Sequence, residues 1–399
     1  MKKLLTILLA GSMIFSLAAC SSESSTESSE ESSTSSQESS QSESLEEESS
    51  EEELKELAEL NPTYSSLFAI EDLGDGIKKV TDYDGQEIIL VPKELAEVPA
   101  EYSDDIVIRT PVENAVFLSS TFVASFGNIE SDNVFDSIAA VSNDVDGYAN
   151  IPAIADRLAS GDIADIGGNY TDPDYETIIS LNPDVVFVTS GTYADTTSME
   201  KFDELGITYV GIAEYVETDY VARMEWCRMF LTFFDEDETA AQIMESAEEN
   251  IANAQALVEG SEQPKVLFAS SYSGTVYVTS PDSWVGNMIG DAGGDYLLAD
   301  EYEVGLSYSL EEFILKAEEA DIIVWTGTPG YGATKSVVFE EIPLLADVPA
   351  VLNDKLYSYS DLFWSCVDET DIMFEDLVAV FYEEDFADRE LKYFQKMAE

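Results

Sequence analysis

The 399-residue chain contains no histidine, and its 18 lysines and arginines face 82 aspartates and glutamates. Without an imidazole there is no His-dependent catalytic triad, no His-ligated zinc site and no proximal-histidine haem. A formal net charge of −64 argues against a nucleic-acid partner, because binding one requires a basic footprint. The same field keeps the molecule off anionic surfaces and favours cationic ligands, although a solvated acidic surface accounts for most of these charges. Cysteine is scarce as well. Cys20, Cys227 and Cys366 stand in no metal-like spacing and form no CxxC pair; two buried thiols at 227 and 366 are the expectation, and their pairing cannot be read from sequence. A Walker loop and a dinucleotide glycine fingerprint are missing. So are the internal repeats or all-β pattern of an adhesin. Carboxylate pairs of the glycosidase kind arise by chance among so many acidic residues and carry no information. No catalytic residue is assigned.

At the N-terminus, Lys2 and Lys3 lead an apolar run from Leu4 to Leu17 that ends in Leu17-Ala18-Ala19-Cys20. The run is too short for a spanning helix and has the shape of an export signal. Cysteine directly after small residues resembles a bacterial lipobox. Residues 1–19 are then a signal peptide, and Cys20 is the lipidated first residue of a protein held on the outer face of the cytoplasmic membrane. Residues 21–53 contain 16 Ser and 12 Glu, with Leu45 as the only large apolar residue. Such a segment buries too little to offset its ordering entropy, so 20–53 reads as a lipidated cysteine and a disordered, self-repelling tether. From residue 54 onward 70 acidic residues stand against 16 Lys and Arg, a net of about −54.

The remainder is rich enough in apolar residues, 45% of the chain, to bury cores. A polar helical lead-in and a loop with Gly74 and Gly76 are predicted over 54–76, then a hairpin turning at Asp84-Gly85. Apolar runs at 115–119, 138–141, 185–189 and 207–212 alternate with helices near 121–127, 151–159, 173–181 and 195–205. Strands apolar throughout and alternating with helices indicate a parallel sheet covered on both faces. After a helix at about 218–234 comes the longest periodic stretch. In Asp237–Val258, residues Ala240, Ile243, Ala247, Ile251, Ala254 and Val258 share one helical face, acidic residues crowd the start and Gly260 follows the end. At roughly 1.5 Å per residue it is a rod of about 33 Å. The alternation then resumes: strands at 266–269, 275–279, 322–325 and 356–359, helices near 283–292, 309–319, 337–346, 368–382 and 386–397. The expected organisation is an α/β chain of two Rossmann-like lobes joined by one long rigid helix, with a ligand cleft between them. It divides into an N-terminal lobe with its leading hairpin at 54–216, connecting helices at 217–260 and a C-terminal lobe at 261–399.

Four passages together resemble the substrate-binding lipoproteins of ABC importers for iron–siderophore complexes and vitamin B12, the helical-backbone periplasmic binding proteins. They are the lipobox, VTDYDGQEIIL, DPDYETIISLNPDVVFVTSG and the rod; WVGNMIGDAGGDYLLAD and IPLLADVPAVLNDKLYSYS add to them. The resemblance covers residues 78 to 386. It implies a monomeric receptor without enzymatic activity and with no cofactor or metal of its own. It also implies an ABC permease and ATPase as partners, with one exposed glutamate on each lobe docking into arginine-lined pockets. Glu176 falls on the first position; Glu311 matches the second, with Glu312 as the alternative.

Ligands of such folds sit in loops beyond the carboxyl ends of the strands. There the first lobe offers Ser119, Ser120, Thr121, Tyr148, Asn150, Asn169, Tyr170, Thr192, Tyr193 and Tyr215. The second offers Ser271, Tyr272, Trp284, Tyr302, Tyr308, Tyr331, Phe363 and Trp364. The aromatics Tyr148, Tyr170, Tyr193, Tyr272, Trp284, Tyr308 and Trp364 suit a sizeable organic ligand. Arg157 and Lys335 are the basic residues nearest the expected loops, Arg157 being the candidate contact. A ferric siderophore brings its own oxygen ligands and does not need the missing histidine. Corrinoid and haem are the alternatives, and scarce basic residues favour a neutral or cationic complex.

Overall fold

Apolar strands need cover on both faces, and the chain supplies it with three sheets and the helices between them. The computed structural model describes residues 60–142, 148, 150–167, 173–194, 196–300, 307–365 and 367–399, all within the compact unit that begins at Glu52. The predicted tether and Cys20 lie outside the described residues, as does Cys366.

The first sheet comprises β1 (Ala69–Gly74), β2 (Ile77–Thr81), β3 (Glu87–Pro92) and β4 (Ile106–Thr110), in that order. The β2–β3 hairpin turns where predicted, pairing Thr81 with Glu87. β1 replaces the loop expected around residues 69–74: Ile70 and Val80 are buried opposite each other, and this cross-strand pair outweighs the polar sequence around it.

The N-terminal lobe is built on β5 (Ala115–Phe117), β6 (Ile138–Val141), β7 (Ala164–Asp165), β8 (Val185–Thr189) and β9 (Tyr209–Ile212). Their order is β7-β6-β5-β8-β9 and every pairing is parallel. Helices α1 (Ser120–Val123), α2 (Asp132–Asp136), α3 (Pro152–Ser160), α4 (Tyr175–Leu181) and α5 (Thr196–Leu205) intervene.

Two helices follow, α6 (Tyr220–Leu231) and α7 (Asp237–Val258). The C-terminal lobe then contains β10 (Lys265–Tyr272), β11 (Thr275–Val278), β12 (Asp295–Tyr296), β13 (Ser307–Ser309), β14 (Ile322–Trp325), β15 (Leu356–Tyr359) and β16 (Phe394–Lys396). Its helices are α8 (Trp284–Asp291), α9 (Leu310–Ala317), α10 (Lys335–Glu341), α11 (Pro349–Leu352) and α12 (Thr370–Phe381). The sheet runs β13-β11-β10-β14-β15-β16, with β12 beside β10. The helix expected over 386–397 is not formed. β16 occupies its end, antiparallel to β15, and Phe394 packs against Tyr359 and Phe363. Covering an apolar sheet edge overrides the local helical pattern.

α7 has the predicted bounds, and its buried face differs at one position: Met244 is buried where Ile243 was expected, and Ile243 packs at the margin. It starts on the first lobe, where Lys78 of β2 pairs with Asp235 and Asp237, and reaches the second, where Asn250 donates to Asp371 at 2.7 Å. α6 lies alongside it and runs the other way. Its first residue, Tyr220, stacks on Phe374 and donates to Asp291 at 3.0 Å. Near its end, Phe230 sits 5.3–6.1 Å from the rings of Phe117, Phe122, Phe126 and Phe187. All but one of its residues are buried, so a helix that sequence reading treats as an approach to the rod is the spine of the molecule. The chain ahead of β1 is fastened to it. Glu225 of α6 accepts from the backbone N–H of Thr63, Tyr64 and Ser65 at 2.6–2.9 Å, and Phe68 packs on Trp226 at 4.7 Å.

Phe230→Ala removes the ring on which four others converge. It is expected to cost about 3–5 kcal/mol, measured as a lowered urea midpoint with an unchanged slope; a loss below about 1 kcal/mol would show that the cluster repacks around the gap.

Candidate ligand-binding site

In each lobe the parallel strands point their carboxyl ends at loops that meet between the lobes. β5 leads into Ser119, whose Oγ caps α1 by accepting from Thr121 N at 3.3 Å. β9 leads into Glu214 and Tyr215, and Tyr215 donates its hydroxyl to Ser190 O at 2.7 Å. Gly191 permits that approach: its φ is 77°, and a Cβ there would lie 2.9 Å from the Tyr215 hydroxyl. From the other side, Ser283 caps α8 and presents Trp284 in the first turn. Trp284 stacks on Phe363 at 5.9 Å and meets Trp364 edge-on at 6.4 Å. These elements enclose a cavity of about 330 Å³ lined by Ser119, Thr121, Phe122, Thr189, Glu214 and Tyr215 of the first lobe, Arg223 of α6, and Trp284 and Trp364 of the second.

Two charged groups occupy this cavity, and the protein leaves both incompletely answered. Glu214 is 1% exposed; its Oε1 accepts from Thr121 Oγ1 at 2.6 Å and its Oε2 has no hydrogen-bond partner. Burial pushes its carboxyl above the ordinary range, with Arg223 opposing the shift. Arg223 is 3% exposed; its guanidinium lies over the Trp284 ring at 4.5 Å and its Nε is unpartnered. Burial lowers its pKa, opposed by Glu214, yet no ion pair within 4.0 Å joins the two. Buried polar atoms are nearly always paired, so two unpaired ones on residues that line one cavity make it the candidate ligand site.

Of the residues expected to touch a ligand, Trp284 and Trp364 line this cavity, with Ser119, Thr121 and Tyr215. Tyr148 does not. It is fully buried and donates to Ser142 O at 2.6 Å, which satisfies its one polar atom inside the core. Arg157 is not at the cleft either. It sits in the last turn of α3, at the amino end of β6, held by Asp132 at 3.1 Å and Asp136 at 2.7 Å. Lys335 pairs with Glu399 at 2.7 Å, and Phe363 is buried against Tyr359. Tyr272 is 74% exposed beside the β10–β11 turn, and Tyr308 is half-buried on β13, packed on the core; neither lines the cavity. Tyr170 lies outside the described residues, as does the side chain of Tyr193. Sequence reading passed over Glu214 and Arg223. Their one signal was charge inside apolar text, in IAEYV and YVARMEWC, which resembles any amphipathic helix.

Glu176 and Glu311 are exposed in the first turns of α4 and α9. Asp174 caps α4 through Thr177 N, so Glu176 is not needed there. Glu312 is committed to a capping box, accepting from Ser309 N at 3.0 Å and Oγ at 2.7 Å, which leaves Glu311 as the uncommitted glutamate of that turn. Both helices start at the carboxyl edge of their sheets, one on each lobe.

A second tie joins the lobes away from this cavity. Asp368 accepts from Asn128 N at 2.8 Å and Nδ2 at 3.2 Å, its own N–H donates to Ala124 O at 3.0 Å, and Asn150 donates to Ser365 O at 2.8 Å. Burial raises the Asp368 carboxyl to about 7; Asn128 opposes the shift and Glu369 adds to it.

Two lobes bridged by paired helices, with an unsatisfied cavity between them, define a binding protein that holds its ligand between domains. The chain belongs to the periplasmic binding protein family, whose model matches residues 134–362. It is 31% identical over 330 residues to an uncharacterised lipoprotein of Methanocaldococcus jannaschii, spanning 80% of this chain and 78% of that one. A second lipoprotein of that organism is 26% identical over 81% of this chain and 83% of its own. A periplasmic solute-binding protein from Veillonella parvula shares the fold with a TM-score of 0.55 at 18% identity, over 79% of this chain and 89% of that one. Proteins of the family bind substrates for ABC-type transporters, outside the cytoplasm, and are not enzymes. No helix among the described residues is long and apolar enough to cross a membrane.

Asp368 keeps its proton to about pH 7 when folded and loses it near 3.8 when unfolded. Its contribution to stability is therefore fully present below pH 3.8 and declines as pH rises towards 7. Asp368→Asn should flatten that part of the stability–pH curve, followed by urea denaturation at intervals across the window; an unchanged slope would mean that the carboxyl titrates normally.

Proposed function

We propose that this protein is a receptor, lipid-anchored at Cys20, that captures a ferric siderophore on the outer face of the membrane. It delivers the complex to an ABC permease without chemistry. The observation that carries the reading is the interlobe cavity, with aromatic walls from one lobe and unpaired polar atoms from the other lobe and α6. Aromatic rings supply apolar area to an organic shell, and a chelate arrives with its metal already coordinated, so the receptor needs no histidine. The lipoprotein relatives support the anchor. Glu176 and Glu311 are the proposed permease contacts: exposed, free of capping duty and one per lobe, they offer two separate charge-assisted anchors that fix orientation.

Trp284 and Trp364 make the binding step visible by fluorescence. Titration of the soluble domain with ferric hydroxamates, ferric catecholates, haem, cobalamin and cobinamide should quench one-to-one with an iron complex. Quenching by the corrinoids or haem alone would move the ligand to that class, and silence across the panel would remove the iron reading. Alanine at Glu176 and Glu311 together should abolish uptake in cells at unchanged ligand affinity; lost affinity would place these residues in the binding site instead.

A further inference from the structure

Most polar side chains of the interlobe cavity are already engaged with the protein. Ser119 and Thr121 bond each other at 2.9 Å, Thr121 also holds Glu214 Oε1, and the Tyr215 hydroxyl is given to Ser190 O. Of the charged groups at the cavity, the Oε2 of Glu214 and the edge of the Arg223 guanidinium, whose face is covered by Trp284, remain for a ligand. A guanidinium edge presents parallel N–H groups that match a carboxylate in two hydrogen bonds, whereas a lone carboxylate oxygen asks for a donor.

We propose that Arg223 and Glu214 together read a free carboxylate flanked by an N–H or O–H donor, such as the α-carboxylate of an N-acylated amino-acid unit. The carboxylate takes the edge of Arg223 and the neighbouring donor takes Glu214 Oε2, so one ligand group satisfies two buried charges that do not reach each other. This reverses the leaning towards a neutral or cationic complex, because Arg223, rather than Arg157, is the basic residue at the cavity. A neutral ligand would bury the guanidinium unpaired, and a cationic one would face it directly; both are disfavoured. A single guanidinium in so acidic a protein also suits one carboxylate better than a polyanionic catecholate.

The proposal rests on the receptor reading, and the test separates the two. Ferric aerobactin carries free α-carboxylates beside amide N–H groups. Its methyl ester lacks the acid, its metal-free form lacks the iron, and ferrichrome and cobinamide lack such a carboxylate. Calorimetric titration should give binding of ferric aerobactin with the ester about 100-fold weaker. Arg223→Gln should lose a similar factor and no longer distinguish acid from ester. Arg223→Lys, which keeps the charge without the fork, should fall between, and Glu214→Gln should weaken the acid more than the ester. If a glutamine variant does not fold, the acid–ester comparison on the unaltered protein decides alone. Equal binding of acid and ester overturns the proposal, as does tight ferrichrome or cobinamide binding that survives Arg223→Gln; both leave the receptor intact. Binding of the metal-free acid alone, through Arg223, supports the pair and removes the iron reading. Silence with every probe removes both.

Discussion

The structure depends on keeping one helix almost wholly out of water. α6 has Tyr220 against the C-terminal lobe and Phe230 among four rings of the N-terminal lobe, so each lobe completes its core partly on the same twelve residues. Neither lobe can withdraw from α6 without exposing aromatic surface, and each such side chain is worth about 1.5–3 kcal/mol when buried. α7 gives this spine its length and its second track. A pair of helices running in opposite directions resists bending and twisting better than a single rod, because each side-chain row braces the other.

A chain with 82 acidic residues leaves most of them to water, which makes the buried ones informative. Glu225 receives three backbone N–H groups of the segment before β1. Asp82 receives those of Asp84, Gln86 and Gly211, Asp376 receives Arg389, Lys392 N and Tyr393 N, and Asp368 receives Asn128. Each one ties together segments distant in sequence, because a carboxylate removed from water must find donors wherever the fold offers them. Glu214 breaks the pattern: one oxygen is held by Thr121 and the other, buried beside the cavity, has no hydrogen-bond partner. That departure is what makes Glu214 a candidate for binding rather than for holding segments together.

Much of the architecture is legible in the residues alone. Fully apolar runs such as VVFVT became interior parallel strands, and the rod emerged at Asp237–Val258 as its periodicity predicted. Period and capping are local properties, and local properties survive folding. The structure differs where strand pairing overrules local pattern: residues 69–74 form a strand because the adjacent β2 is available to pair with, and the last residues form β16 because β15, nearly forty residues earlier, has an open edge. The site was less legible. Trp284 and Trp364 were found because loop aromatics stand out, yet Tyr148 looked identical in sequence and is a core residue. Arg157 was misplaced because a helix carries its basic last turn to the opposite end of the sheet from the cleft.

By itself the sequence determined the alternation of elements, the connecting rod and the carboxylate excess, since each follows from residue type and spacing along the chain. Only the tertiary structure decided which charges are isolated. Whether Arg223 or Arg157 has a partner depends on which segments fold against it, and neighbours separated by many residues leave no local pattern to read. The cavity between the lobes exists for the same reason: it belongs to the packing of β9, α6 and α8 together, not to any of them alone.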